Sequence, residues 1–428
     1  MDNRLKDLAE KLDAGLTARR EFLRKAAVVT GGTAVGLKAL EGMAGAQSGT
    51  KLRVWLFKSF VTAGNDVLEK QIQNWAKDRK VTAEIDWATF GDREQKFVAG
   101  IEAGNPPDIA EMNINGPMRY KAALKDVSKV AGDIASARGG MLPFADKAMK
   151  LDGKFYGVPR YSMTTVFYIR KDIMEAKGLY GFGQTLNRSD DGDGFMGNIL
   201  WNYGGGVWDK DGKPALGTTF REQNLKALQF SVDTITKHKI QPPGVMGWTD
   251  VSNNEAYLAG NLVTTNNGAS LYYAMVAKKH ELAPKTLLVL TPGGPAGSFV
   301  GSSCYNWGIF QKSKYAELGE DMIRYMEDEE RFAEYVKVSV GQAGPVYKKR
   351  TEDPYWKSDP NFNAIMQNII RSNPAGYPGP ITPAAVEVGA QHILTDMAGR
   401  VVTAGLSAEA ALKEAHARVE EIYKARRS

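Results

Sequence analysis

The chain is 428 residues long, with 43% apolar and 24% charged residues, a formal charge of +6, one cysteine and four histidines. A single cysteine excludes an internal disulfide, and the scattered His238, His280, His392 and His416 lack metal-ligand spacing. The length suits two domains with substantial cores, and so mild and dispersed a charge carries no nucleic-acid footprint.

The first readable segment is residues 18–46. Ala18-Arg19-Arg20-Glu21-Phe22-Leu23-Arg24-Lys25 is basic and holds an arginine pair. A soft apolar run follows from Ala26 to Leu37, and Ala44-Gly45-Ala46 supplies the small side chains that suit signal peptidase. Together they read as a twin-arginine export signal, associated with cargo that folds before crossing the membrane. The expectation is a periplasmic protein whose first 46 residues are removed. The apolar run is too short to span a bilayer. The single cysteine, Cys304, lies far from the cleavage site, so no lipid anchor is expected. Lys38 and Glu41, charged residues at the end of the apolar run, are unusual in such a signal.

Beyond the signal, Leu52–Leu56 alternates as a strand, Asn65–Lys80 has helical period with Val67, Leu68, Ile72 and Trp75 inward, and Val81–Trp87 alternates again. Strand–helix–strand favours a parallel sheet flanked by helices. Arg93–Ala103 reads as a helix stopped by Gly104-Asn105-Pro106-Pro107, and Asp108–Met112 as a short buried strand. Gly153–Pro159 is a hairpin leading into the extended run Thr164–Ile169, and residues 185–215 read as irregular. Helices are expected at Phe220–Lys237, Asn253–Ala259, Tyr315–Met326, Glu329–Val338 and, after Ser407, Ala408–Arg427. Strands are expected at Leu262–Thr265 and Leu287–Leu290. Gly/Pro breaks near 157–161, 291–300 and 341–346 would carry the chain three times between two α/β lobes, a hinged pair around a cleft.

Asp191-Gly192-Asp193-Gly194 and Asp209-Lys210-Asp211-Gly212 invite a calcium reading. An EF-hand loop needs a Glu six residues after its glycine, and those positions hold Asn198, Leu200 and Thr218. Turn formation accounts for both clusters, and no metal or cofactor is expected. Gly204-Gly205-Gly206 lacks the Lys-Ser/Thr of a phosphate loop.

Several segments resemble, in order and spacing, the extracellular solute-binding proteins of family 1, the maltose-binding-protein-like receptors of ABC importers. They are Lys51–Trp55, Lys96–Asp108 (KFVAGIEAGNPPD), Gly153–Pro159 with Tyr168–Asp172, Glu255–Gly268, Pro292–Gly297 and Gln342–Pro345, together with the C-terminal helix. The resemblance covers nearly the whole chain beyond the signal. One departure stands out: Ala176-Lys177-Gly178-Leu179 runs directly into Tyr180, where the family carries a Pro-x-Thr-Trp-Asp-Glu segment opening another helix. The resemblance implies an α/β, two-lobed periplasmic-binding fold of type II, each lobe a mixed sheet flanked by helices. Lobe 1 would comprise 50–158 and 298–343, and lobe 2 159–297 and 344–428. It further implies a monomer that captures a sugar or oligosaccharide by hinge closure and hands it to the membrane subunits of an ABC permease.

Sugars offer C–H faces that stack on aromatic rings and hydroxyls that take directed hydrogen bonds. A cleft for them needs aromatics and polar groups where strands end. The candidates are Trp55 and Phe60 around the first strand, Trp87 and Phe90 after the second, and Glu111, Asn113 and Asn115 after the third. Tyr161 follows the first crossover, and Trp201 and Tyr203 precede the triple glycine. Trp248 and Asp250 precede a helix, Asn266 and Asn267 end a strand, and Tyr305, Asn306 and Trp307 follow the second crossover. Trp75, mid-helix at core spacing, reads as packing, and Trp208 and Trp356 lean the same way.

Enzyme readings find little to stand on. A Rossmann fingerprint, a Cys-rich cluster and a G-x-S-x-G elbow are missing from the sequence. A glycoside hydrolase would need two facing carboxylates, and nothing singles out a pair. The expectation is a non-enzymatic binder. A binder of a polyol or glycerophosphate, an exported glycoside hydrolase and a receptor-interaction protein without a small ligand are the alternatives.

Overall fold

The structure is a computed structural model and describes residues 50–89, 92–173 and 178–426. The export-signal segment, Phe90 and residues 174–177 beside the sequence departure lie outside the described residues. The chain divides into two compact units, one of residues 1–51 with 76–82 and the other of 52–75 with 83–428. In the first, Val81 N–H donates to Ala76 O and Thr82 N–H to Thr50 O. The second carries the rest of the described residues.

The elements run β1 (Lys51–Phe57), α1 (Thr62–Arg79), β2 (Thr82–Ala88), α2 (Arg93–Glu102), β3 (Ile109–Met112), α3 (Gly116–Tyr120), α4 (Ser128–Ala137) and α5 (Pro143–Met149). Then come β4 (Lys150–Leu151), β5 (Lys154–Phe155), β6 (Val158–Arg170), β7 (Tyr180–Gly183), α6 (Asp190–Asn202), α7 (Arg221–Thr236), α8 (Ser252–Leu258), β8 (Leu262–Gly268), α9 (Ser270–Ala277) and β9 (Thr286–Val289). The chain ends with β10 (Val300–Ile309), α10 (Ala316–Met326), α11 (Glu329–Ser339), α12 (Pro360–Ile370), β11 (Ser372–Asn373), α13 (Pro383–Ala390), α14 (Ile393–Val402) and α15 (Ala408–Ala425).

The main sheet follows the path β2-β1-β3-β10-β6-β8-β7, with β11 on β10 and β9 on β6. Parallel pairs occupy its two ends: β1 with β3, Val54 opposite Ile109, and β7 with β8, Phe182 opposite Thr264. The middle is antiparallel. β6 pairs through Val158–Thr164 with β10 and through Thr165–Arg170 with β8 and β9, so one long strand belongs to both ends. Ser162 lies opposite Cys304 on one side and forms a two-way backbone bridge with Gly344 on the other. Of the three Gly/Pro breaks read from the sequence, 341–346 lies at this point, 157–161 ends one residue before it, and 291–300 ends four residues before Cys304. A hairpin forms at β4–β5, starting three residues before the expected Gly153–Pro159, and its turn residues Asp152 and Gly153 both have positive φ, as a two-residue type I′ turn requires.

Apolar side chains gather separately at the two ends. Phe97, Ala110, Met112, Tyr120, Leu124 and Phe310 form one buried cluster beside β3. A larger one joins Phe195, Met196 and Leu200 of α6 to Leu228, Leu394, Met397, Leu412 and Val419 of α7, α14 and α15. Trp75 and Trp208 are buried in packing positions, as their spacing suggests.

Two sequence expectations need correction. Residues 190–202, within the stretch read as irregular, form helix α6. Ser189 caps it, accepting from Gly192 N–H at 3.0 Å, and Asp190, Asp191 and Asp193 fill its first turn, where the helix dipole favours negative charge. The acidic glycine cluster at 191–194 is thus a helix start rather than a loop. The second cluster is a turn, with Asp209 Oδ1 accepting from Asp211 and Lys213 N–H. At the triple glycine, a side chain on Gly205 would sit 2.0 Å from Asn224 Oδ1, which accepts from Gly206 N–H. Here the glycine is required by close packing.

Candidate functional site

Ligands of α/β sheets bind outside the carboxyl ends of parallel strands. At one end of the sheet these are Phe57 of β1 and Met112 of β3, with Arg93 opening α2. At the other they are Gly183 of β7 and Gly268 of β8, with Asp190 opening α6 and Ser252 opening α8. The two edges face each other. Arg93 lies within electrostatic reach of both Tyr305 and Asp190, and the Tyr273 hydroxyl of α9 meets Thr62 Oγ1 and Ala63 N–H at the start of α1, both at 3.3 Å.

The register of the middle strands builds a floor between these edges. Tyr161 lies opposite Tyr305 and Met163 opposite Ser303, while Phe167 lies opposite Asn266. Alternation puts Tyr161, Met163, Thr165, Gly301, Ser303, Tyr305 and Asn266 on one face. The Tyr161 and Tyr305 rings stack at 4.8 Å with 3° between planes, and Phe57 stacks on Tyr305 at 5.3 Å. Gly301 leaves room for Trp201, whose ring is 3.7 Å from where a Cβ would stand. Trp201 N–H donates to Tyr377 O at 3.1 Å, and the two rings meet edge-on at 5.4 Å. Tyr161 and Tyr305 are each 2% exposed, so their stack packs beneath the polar strip of Thr165, Gly301 and Ser303, and Trp201 is the half-buried ring at its edge.

On the β1–β3 side, Glu111 is tied down. Its Oε1 accepts from Arg160 Nη1 at 2.5 Å and its Oε2 from Phe57 N–H at 3.3 Å. Burial pushes the Glu111 carboxyl up, and the Arg160 guanidinium pulls it back. Arg160 in turn sits 4.1 Å from the Tyr335 ring centroid and 5.3 Å from that of Trp307.

On the β7–β8 side, the groups are mostly acceptors. Asp191 N–H donates to Asp250 Oδ1 at 3.1 Å, Gln184 Nε2 to Asp191 O at 3.5 Å, and Asn253 Nδ2 to Asn266 O at 3.3 Å. Burial, with Asp250 and Asp190 close by, holds the Asp191 carboxyl well above the usual carboxylate range, and burial raises Asp250 as well. Gln184 Oε1, Asn253 Oδ1, Asn266 Oδ1 and Thr165 Oγ1 are buried without a hydrogen-bond partner.

Of the residues the sequence proposed, this geometry brings together Glu111, Tyr161, Trp201, Asp250 and Tyr305, while Asn267 points to the opposite face of β8 from Asn266. Asn267, at the end of β8, donates to Asn254 Oδ1. Trp248 is half-buried two residues before Asp250, and Phe60 stands exposed in the loop after β1. Asn113 ends β3, with Oδ1 accepting from Asn115 N–H at 3.1 Å.

The others lie in packing. Trp55 faces α2, its ring 5.7 Å from Phe97 with Lys96 above it. Trp87 donates to Glu69 of α1 at 3.1 Å. Tyr203 packs on Phe230, and Trp307 is fully buried with its N–H on Glu327 at 3.3 Å. Sequence reasoning missed Phe57, Arg93, Arg160, Asp190, Asp191, Gln184 and Asn253. The available signal for three of them was the helix start at Ser189 and the one at Arg93, each following a strand.

Solved structures share this fold. A maltose-bound T. maritima protein superposes with a TM-score of 0.74 at 20% identity, covering 87% of this chain and 99% of that one. A solute-binding protein of an ABC transporter from Thermotoga lettingae, bound with α-D-tagatose, gives 0.76 at 17% identity with the same coverage. The fold is the two-lobed α/β fold of maltose-binding-protein-like periplasmic binding proteins. An arabinooligosaccharide-binding protein of Halalkalibacterium halodurans is 20% identical over 357 residues, 76% of this chain and 78% of that protein. The sequence signature of the bacterial extracellular solute-binding proteins matches residues 70–364, and the chain belongs to that family. Among the described residues no helix is long and apolar enough to cross a membrane.

Proposed function

We propose that this protein captures a sugar or oligosaccharide between its two sheet edges and delivers it to the membrane subunits of an ABC permease. The observation that carries the reading is the floor. The half-buried Trp201 ring stands over Gly301 beside Thr165 and Ser303, with the stacked Tyr161–Tyr305 pair packed beneath, which offers a sugar one ring for its C–H face and neighbouring hydroxyls for its own. The relatives named for arabinooligosaccharide and found with maltose and tagatose support the same class of solute.

Closure would move lobe 1 (50–158 with 298–343) against lobe 2 (159–297 with 344–428), bending where Ser162, Cys304 and Gly344 run side by side. The solute then shifts an open–closed equilibrium by its greater affinity for the closed form. The protein works as a monomer in the periplasm, exported by the twin-arginine route. It binds without turnover: both Glu111 oxygens are engaged by Arg160 and Phe57 N–H, an arrangement suited to holding the floor rather than to passing protons.

The test is a thermal-shift screen of the exported protein against mono-, di- and oligosaccharides and polyols, followed by small-angle scattering with any hit. A true solute at a hundred times its Kd should add about 2.7 kcal/mol of stability and reduce the radius of gyration. A full carbohydrate panel that neither raises the melting temperature nor compacts the protein would sink the reading.

A further inference from the structure

The wall at the start of α6 is chemically one-sided, and this bears on which solute it accepts; the inference rests on the function proposed above. Asp190, Asp191 and Asp250 place three carboxyls there; burial raises Asp191 and Asp250, with Asp250 and Asp190 adding to the first and Asp190 to the second. Two buried amides stand beside them, with Gln184 and Asn253 both fully buried. Each amide has its nitrogen anchored, Gln184 Nε2 on Asp191 O and Asn253 Nδ2 on Asn266 O. Anchoring fixes which way the oxygens point, and both oxygens are buried without a donor. An unpartnered buried acceptor is destabilising, so this wall gains from whatever brings donors.

The neighbouring cations make their hydrogen bonds elsewhere, while Arg93 and His392 also act on Asp190, and His392 on Asp250, through space. Arg93 bonds Glu94 Oε1 at 3.1 Å and lies over the Phe57 ring. His392 is paired with Asp193, which also accepts from Thr395 N–H. A metal ion is the other donor-free partner such oxygens could take, but no described group of His, Cys, Asp and Glu has the arrangement to hold one.

A sugar hydroxyl donates one proton and also needs an acceptor's share of donors. An ammonium donates three, accepts none and brings the opposite charge. We propose that the solute carries an amino group, and that its protonated amine is held by Asp191 and Asp250 with the amide oxygens of Gln184 and Asn253. Phosphorylated sugars and uronates would meet the same carboxyls as repulsion and are rejected.

Isothermal titration of the exported protein with matched pairs decides it: glucosamine against glucose, galactosamine against galactose, and the β-1,4-linked glucosamine dimer against cellobiose. The expected result is that the amino member of at least one pair binds about tenfold or more tightly, a difference of about 1.4 kcal/mol. Asp250→Asn, at a half-buried position, should narrow that preference, with the solute-free melting temperature showing that the variant folds. Equal affinity within every pair, preference for the neutral member, or tight binding of glucuronate or glucose 6-phosphate overturns the amine assignment while leaving sugar capture intact. Calcium binding that depends on Asp250 overturns it in favour of a metal site. If no sugar binds, amino or neutral, the functional reading falls and this inference falls with it.

Discussion

Glu111 and Arg160 form the floor's most consequential pair, because both side chains are almost wholly buried, at 1% and 2% exposed. Removing one partner leaves the other charged and desolvated, a loss of about 3–5 kcal/mol, whereas replacing both by groups of similar shape can be close to neutral. Arg160→Ala should therefore lower the urea midpoint severely, and Glu111→Gln with Arg160→Met should recover most of it. A single variant as stable as the double would show that the pair is not holding the floor. His392 makes a different claim. Its hydrogen bond to Asp193 raises its pKa above the ordinary 6.5, with burial acting in the opposite direction. A raised histidine contributes stability that is complete below about pH 6.5 and is lost as pH climbs through the folded-state value. Unfolding free energy should fall across that window, and His392→Asn should flatten the slope. An unchanged slope in the variant would assign the pH dependence to another group.

At the scale of elements, legibility followed how local the determining physics is. β1, α1, β2, α2, β3 and α15 were readable because period and caps lie within a few residues of one another; Ser407, for example, accepts Ala410 N–H at 3.2 Å. Helix α6 was missed because its glycines, Gly192, Gly194 and Gly197, argue against a helix by propensity, while its stability comes from Ser189 and from packing Phe195, Met196 and Leu200 into the large core. Ser189→Ala should cost about 1 kcal/mol, measurable by chemical denaturation, and no change would mean that packing alone sets the helix start. The aromatic candidates divided for a similar reason. Alternation tells that Trp55 and Trp307 point out of a strand, but only the sheet's layers tell that Trp55 faces α2 and Trp307 faces Glu327. The Gly341–Pro345 break was visible, yet its pairing was not: Gly344 bridges Ser162, and a Cβ there would meet Ile369 at 2.1 Å. Overpacking of this kind costs about 1–3 kcal/mol, so Gly344→Ala should destabilise by that amount in the same assay.

For the molecule as a whole, one direct contact between the two sheet edges is Tyr273 against the start of α1. Its hydroxyl meets Thr62 Oγ1 and Ala63 N–H, an otherwise unsatisfied donor of a helix N-terminus. If the proposed lobes separate, these bonds exist only in the closed form, so they act on the closing equilibrium and not on the solute itself. At 3.3 Å each they belong at the weak end of the usual 0.5–1.5 kcal/mol. Losing both should take about 1 kcal/mol from the closed form and weaken solute affinity about fivefold. Tyr273→Phe keeps the ring and removes only the hydroxyl. The expected outcome is lower affinity for every solute by a similar factor, a solute-free radius of gyration that rises or stays level, and an unchanged order of preference among sugars. A variant that instead reorders the preferences would place Tyr273 in contact with the solute, and one that binds as tightly as the natural protein would mean that closure does not use this contact.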